Sequence, residues 1–435
     1  MKQFRTLIFW CHLVAGVFAG LVVLVMSVTG VALTYQKQVT AWADLRGLDG
    51  SPPAANAARL PVATLVEKAQ GSGGGPAPTA ILWRADPNAP VQISFGRERT
   101  VFSNAYTGEV LGEGSSRVRG FFRVMTDWHR WLGGTDENRE TGKMITGACN
   151  LAFLFIVASG FYLWWPRNWN RRALASVTLF RRGLSPKARD FNWHNVIGFW
   201  SVVPLFVVVL SGVVISYRWA GDLVYRAVGE QPPAPEGQGA GPQAAGGSRS
   251  GGRPEGGPGR GAQEGRGGAA SAERTAGREG REGGGRKVSL AGIDGLVAQA
   301  ERQIPGWRTL TLQVPRADDA PLRFTLDRGT GGQPQKRATL ELDRATGEVL
   351  KWEPFSDATP GRRLRMILRF AHTGEVLGIA GQTIAGLVSL GAVFLVWTGL
   401  SLTLRRFQSW RRRKQEGRGS RRPSPREESF AEVNA

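Results

Sequence analysis

A chain of 435 residues with a formal charge of +21 and 42% hydrophobic residues has room for two or three domains, and is basic enough to raise nucleic acid as a partner. The placement of the charge argues against that class. Arginines crowd the ends of apolar stretches, at Arg167, Arg171, Arg172, Arg181 and Arg182 and again at Arg405, Arg406, Arg411, Arg412 and Arg413, the positive-inside signature of cytoplasmic loops, so the expected partner is a lipid bilayer and not nucleic acid.

Residues 7–35 form the first stretch long enough to cross a bilayer, which takes about 20 apolar residues. Lys2 and Arg5 precede it, which predicts an inside start, and the run exceeds the roughly 7–15 apolar residues of a signal peptide, which predicts an uncleaved anchor. Residues 36–142 then lie outside, with a helix-like run at 60–70 and strand-like runs at 80–83, 91–95 and 99–104. A second span at 143–166 returns to a basic inner loop at 167–192, and a third at 193–217 exits again. Residues 218–286, rich in Gly, Pro, Ala, Arg and Glu, cannot bury a core and are expected to be a disordered linker. Residues 287–378 carry a second helix-like run at 290–302 and strand-like runs at 307–314, 322–327 and 337–343. The fourth span, 379–404, returns inside to a basic tail, 405–435, so both termini are expected on the inner side.

This order contains a repeat of span, external region and span in one orientation. Thr146-Gly147 aligns with Ala385-Gly386, Ser159-Gly160 with Thr398-Gly399, and the turn sequence 106–111 with 345–350, each holding Thr-Gly-Glu-Val-Leu. Parallel repeats of this kind are related by an axis along the membrane normal. The predicted class is an α-helical membrane protein with four transmembrane helices as two parallel repeats, plus two small α+β external modules.

The chain has four histidines, and each stands at the mouth of a span: His12, His129, His194 and His372. His12 is followed by Gly16, Gly30 and Tyr35 at the offsets that separate His194 from Gly198, Gly212 and Tyr217. Neutral imidazole is the commonest metal ligand, and polar groups at membrane depth are costly and usually functional. Repeat symmetry pairs His12 with His194 at the inner face and His129 with His372 at the outer one, although the latter two precede their spans. Four such residues suit two bis-His haems, and without a C-x-x-C-H sequence these would be haem b. Two imidazoles leave no open iron position, which favours electron transfer, and stacked sites could bridge a span of about 30 Å. Gly16 and Gly198, one turn from the inner histidines, would give a macrocycle or a neighbouring helix room. Arg123, Arg130, Arg365 and Arg369 flank the outer pair as candidates for charge-assisted bonds to propionates. Cys11 and Cys149 are expected to stay unpaired. No G-x-G-x-x-G follows a strand-like run, so the electron donor is expected to be a separate cytoplasmic partner or quinol in the membrane.

The combined features resemble the PepSY-associated transmembrane-helix family of bacterial inner-membrane proteins. They are histidine and spaced glycines opening the first and third spans, Asp127-Trp128-His129-Arg130-Trp131-Leu132-Gly133 ahead of the second, Arg369-Phe370-Ala371-His372 ahead of the fourth, and the two Thr-Gly-Glu-Val-Leu turns. The resemblance implies a Gram-negative inner membrane, two periplasmic PepSY-like modules and histidine-held haem. It also implies a haem-dependent ferric-siderophore reductase that releases Fe(II) into the periplasm. The alternative is a membrane-anchored PepSY module that binds a periplasmic peptide or protein without redox activity. A metal-ion transporter fits poorly, because the spans carry no acidic residue at mid-depth.

Overall fold

The computed structural model describes residues 2–71, 76–96, 99–165, 170–234, 288–315 and 317–419. Of the expected linker, 235–286 lies outside the described residues, as do 420–435 of the tail.

The chain opens with α1 (Lys2–Leu33), apolar on most of its circumference, and a short α2 (Gln36–Leu45). Helix α3 (Val62–Gln70) precedes the meander β1 (Ala80–Arg84), β2 (Val91–Phe95), β3 (Arg99–Ser103) and β4 (Val110–Glu113). The amphipathic α4 (Ser116–Trp131) leads into the long α5 (Arg139–Trp164). On the arginine-rich side α6 (Arg171–Thr178) connects to α7 (Pro186–Ser216), which is followed by α8 (Arg218–Ala227). The pattern then returns as α9 (Asp294–Gln303), β5 (Thr309–Gln313), β6 (Leu322–Asp327), β7 (Arg337–Leu342), β8 (Val349–Pro354), α10 (Pro360–His372) and α11 (Gly378–Gly419).

Among the described residues, four helical stretches are long and apolar enough to cross a membrane, and they contain α1, α5, α7 and α11. These helices pack in a ring, α1 against α5, α5 against α7, α7 against α11 and α11 against α1. Val157, Leu205, Val209, Val388 and Ala392 fill the contact between α5, α7 and α11. Phe18, Trp200, Val203, Leu387 and Trp397 instead stand exposed on the outside, an arrangement too costly in water and natural against lipid tails. At the arginine-rich end Arg5 donates to the Leu163 carbonyl (2.5 Å), satisfying the C-terminus of α5. The buried Asp190 ties α7 to Arg405 of α11 (3.2 Å). Cys11 and Cys149 are both free thiols.

The two external regions differ from the expected pair of separate modules. Their strands join in one antiparallel sheet of order β4-β3-β2-β1-β5-β6-β7-β8. The central pair runs from Ala80 opposite Gln313 to Arg84 opposite Thr309. One core results: Ile81, Ile93, Val101, Leu310, Phe324 and Leu340 are essentially inaccessible beneath α3 and α9. The alternation in β1 and β5 aims apolar side chains at the same face, so an edge that one module would expose is paired by the other. The turns were legible. Asn104 Oδ1 accepts from Tyr106 N and Thr107 N, Asp343 Oδ1 accepts from Ala345 N and Thr346 N, and Gly108 and Gly347 take φ of +69° and +73°. The Thr346 backbone and hydroxyl donors hold the Asp343 carboxyl below its ordinary range. Because the core is shared, Phe324→Ala is expected to cost about 3–5 kcal/mol and to loosen α3 as well as α9. Proteolysis across a thermal ramp, with the exposed Val349→Ala as control, measures this.

Two boundaries shift. Residues 218–227, expected within the linker, are helix α8, because Ala220, Gly221, Val224 and Tyr225 form an apolar face that packs on α10. The expected tail is helical to Gly419, since α11 continues through its arginines.

Candidate functional site

His129 and His372 precede α5 and α11 in the chain. Each sits in the last turn of an amphipathic helix, α4 and α10. Ser115 caps α4 by accepting from Val118 N, and Leu132 ends it in the left-handed region. Thr359 and Pro360 open α10 in the favoured cap-then-proline order. The two helices deliver these imidazoles to one place, with ring centres 6.2 Å apart and planes inclined by 58°. A metal held about 2.0–2.1 Å from each of two imidazole nitrogens separates the ring centres by roughly 6 Å. His12 on α1 and His194 on α7 lie near enough at the arginine-rich end to interact electrostatically. The structure thus brings together the two pairs expected from the repeat.

Each imidazole is held by the same device, which sequence reading missed. His12 Nδ1 lies 2.9 Å from Ser159 Oγ, His194 Nδ1 2.9 Å from Thr398 Oγ1, and His129 Nδ1 3.0 Å from Thr29 Oγ1. His372 Nδ1 lies 2.8 Å from the Val208 carbonyl and 3.5 Å from Ser211 Oγ. A glycine follows each hydroxyl residue, and a Cβ there would meet the ring: Gly160 at 3.3 Å from His12 Cε1, Gly399 at 3.5 Å from His194, Gly30 at 3.5 Å from His129 and Gly212 at 3.1 Å from His372. A Ser/Thr-Gly dipeptide in each long helix therefore supplies an oxygen for Nδ1 and room for Cε1.

Hydrogen counting assigns the tautomer. Thr29 already donates to Val25 O (2.7 Å), Ser159 to Ile156 O (3.2 Å), Thr398 to Phe394 O (2.7 Å) and Ser211 to Val208 O (2.9 Å). A hydroxyl has one proton, so where it goes to the helix carbonyl the oxygen is left to accept from the imidazole. The Val208 carbonyl can only accept. His372 thus carries hydrogen on Nδ1 and a lone pair on Nε2, the hydroxyl contacts suit the same form in the other three, and no hydrogen bond among the described residues reaches any Nε2. An imidazole whose Nδ1–H is held by an oxygen is the usual form of a metal ligand. Among the described residues no three His, Cys, Asp or Glu side chains gather into a metal-ion cage. The arrangement suits a metal that brings its remaining ligands with it.

The pairs lie far apart along the bundle. Thr29, beside His129, is 17 residues beyond His12 in α1, and Ser211, beside His372, is 17 beyond His194 in α7, which corresponds to roughly 25 Å of helix. The other expected residues divide. Arg130 stacks on Trp131 at 4.7 Å together with Arg139 at 3.8 Å, and Arg369 is near enough to Arg130 to repel it, so these cations gather beside the sheet-side pair. Arg365 turns instead toward α8 at Gly221, and Arg123 lies earlier on α4. A Cβ on Gly16 would meet nothing within 4 Å and one on Gly198 only Leu395 at 3.7 Å, so they leave space beside the inner histidines without seating them.

The family described as PepSY-associated TM region matches residues 9–406, most of the chain and all four long helices. No curated protein matches the sequence.

Proposed function

The chain belongs to the family of the PepSY-associated TM region, and from that premise we propose that it is a two-haem membrane reductase. His12 and His194 would hold one haem b, His129 and His372 the other. The observation that carries this reading is the pair of facing imidazoles, 6.2 Å apart with Nδ1 occupied and Nε2 free. Bound there, the group supplies one-electron chemistry between ferric and ferrous iron. The chain's own residues would hold the tautomer through Ser159, Thr398, Thr29 and Val208, leave room for the rings at the four glycines, and offer Arg130 and Arg369 as candidates to bond anionic propionates.

The arginine-rich end is the cytoplasmic one in this reading, by the positive-inside rule. The sheet then lies in the periplasm of a bacterial inner membrane, and electrons pass outward to a ferric chelate, a ferric-siderophore by the family resemblance, to release Fe(II). A cavity of about 630 Å³ lined by Phe180, Trp193, Ile197 and Phe394 together with Arg181, Arg182 and Arg189 lies at the arginine-rich end. It supports membrane quinol as the electron donor. A non-redox anchored binding module leaves four oriented imidazoles without a task.

Purified protein is expected to show a b-type spectrum, sharpening on reduction, with about two haems per chain. A folded, haem-free preparation from iron-replete cells overturns the reading.

A further inference from the structure

A second cavity, of about 550 Å³, lies on the sheet domain between the β6–β7 connection, β8 and the first turn of α10. Its volume falls within the roughly 300–1,000 Å³ of small-molecule sites. Arg328, Lys336, Arg337 and Arg363 supply charge to its wall, Trp352 and Phe355 supply flat apolar surface, and no carboxylate lines it. Two acids on the neighbouring strands have cations beside them: Glu353 has Arg362 (2.5 Å) and Lys351 (3.3 Å), while the buried Asp327 Oδ2 has Arg337 at 3.5 Å without a hydrogen bond. Among the described residues no carboxylate comes within ion-pair distance of Arg328, Lys336 or Arg363. The Arg363 Nε is buried and has no acceptor among the described residues, leaving a donor unspent where a protein built only for stability would satisfy it.

We propose that this cavity binds a multiply anionic ligand with an aromatic body, such as a catecholate metal chelate. Three unpaired cations select charge, and the Trp352 and Phe355 faces select a ring by stacking. The cavity is joined to the sheet-side histidine pair. Arg363 and His372 stand on one helix, nine residues and about 13 Å apart, and Gln335 of the cavity wall donates to the Val376 carbonyl (3.1 Å), just past His372. As the acceptor site of a reductase the cavity rests on the reading above; as a binding site it does not.

The test is equilibrium binding to the full-length protein in lipid nanodiscs, with three synthetic Fe(III) complexes as probes. These are a hexadentate tris-catecholate (anionic, aromatic), citrate (anionic, no ring) and a tris-hydroxamate (neutral). The tris-catecholate should bind most tightly and weaken as salt rises. Arg363→Gln and the exposed Lys336→Gln should each weaken it at least about tenfold with haem content unchanged. Equal affinity for the hydroxamate, equal affinity for citrate, or unchanged affinity in Lys336→Gln overturns the proposal. Lys336→Gln keeps the test valid if Arg363→Gln fails to fold. Catecholate binding by a chain that takes up no haem would remove the redox reading and leave the cavity's assignment standing.

Discussion

Alanine at His12 is expected to halve the haem content, and alanine at His194 is expected to remove the same half. The two residues stand on diagonal helices of a four-helix ring, and each has its own hydroxyl and its own glycine. Neither imidazole can therefore be replaced by its neighbour's, and the double variant should lose no more than either single one, the non-additivity expected of residues that act as a unit. His129→Ala and His372→Ala should likewise remove the other half. Pyridine haemochrome quantification with redox titration of each variant distinguishes the sites. If His12→Ala and His194→Ala abolish different haems, the proposed pairing is wrong.

The second large effect is expected from a residue that carries no chemistry. A Cβ at Gly212 would stand 2.9 Å from Asn150 Nδ2 and 3.1 Å from His372 Cε1. Asn150 is itself pinned to the Val209 carbonyl (3.2 Å), so it cannot yield and the imidazole must. Gly212→Val should thus abolish the sheet-side haem while the other remains. Gly120→Ala on α4, where a Cβ meets nothing within 4 Å, should leave both. Thr398→Val makes the complementary point at the far site. It keeps the shape but removes the oxygen that orients His194, so metal-site affinity should fall about 10–100-fold, the usual cost of losing such a partner. Haem retention on a desalting column reads both. Wild-type retention in Gly212→Val would mean that the glycine seat is incidental.

The spans, six of the eight strands (not β4 or β8) and the histidine pairs were legible because each rests on a local pattern. These patterns are apolar length for α1, α5, α7 and α11, alternation for β2 and β6, and a shared offset frame for His12 and His194. The Ser/Thr-Gly dipeptides were half-visible: Ser159-Gly160 and Thr398-Gly399 aligned across the halves, yet nothing local says that a hydroxyl in one helix serves an imidazole in another. Helix α8 was hidden by the Gly/Arg-rich sequence that follows it, since its apolar face has meaning only against α10. The joining of β1 to β5 was not legible at all. Pairing between strands more than 200 residues apart in sequence is set by two edges meeting, and no single stretch records it.

The orienting contacts follow a rule. α5 serves His12, α11 serves His194, α1 serves His129 and α7 serves His372, so each half of the chain prepares its own two imidazoles and borrows the opposing two. Preparation is private to a half, while completion is shared. Unfolding of a whole half, unlike a substitution at one seat, would not empty one site and spare the other. It would leave both with a single, still correctly aimed ligand, so that the two ends of the proposed path fail together when a half is lost.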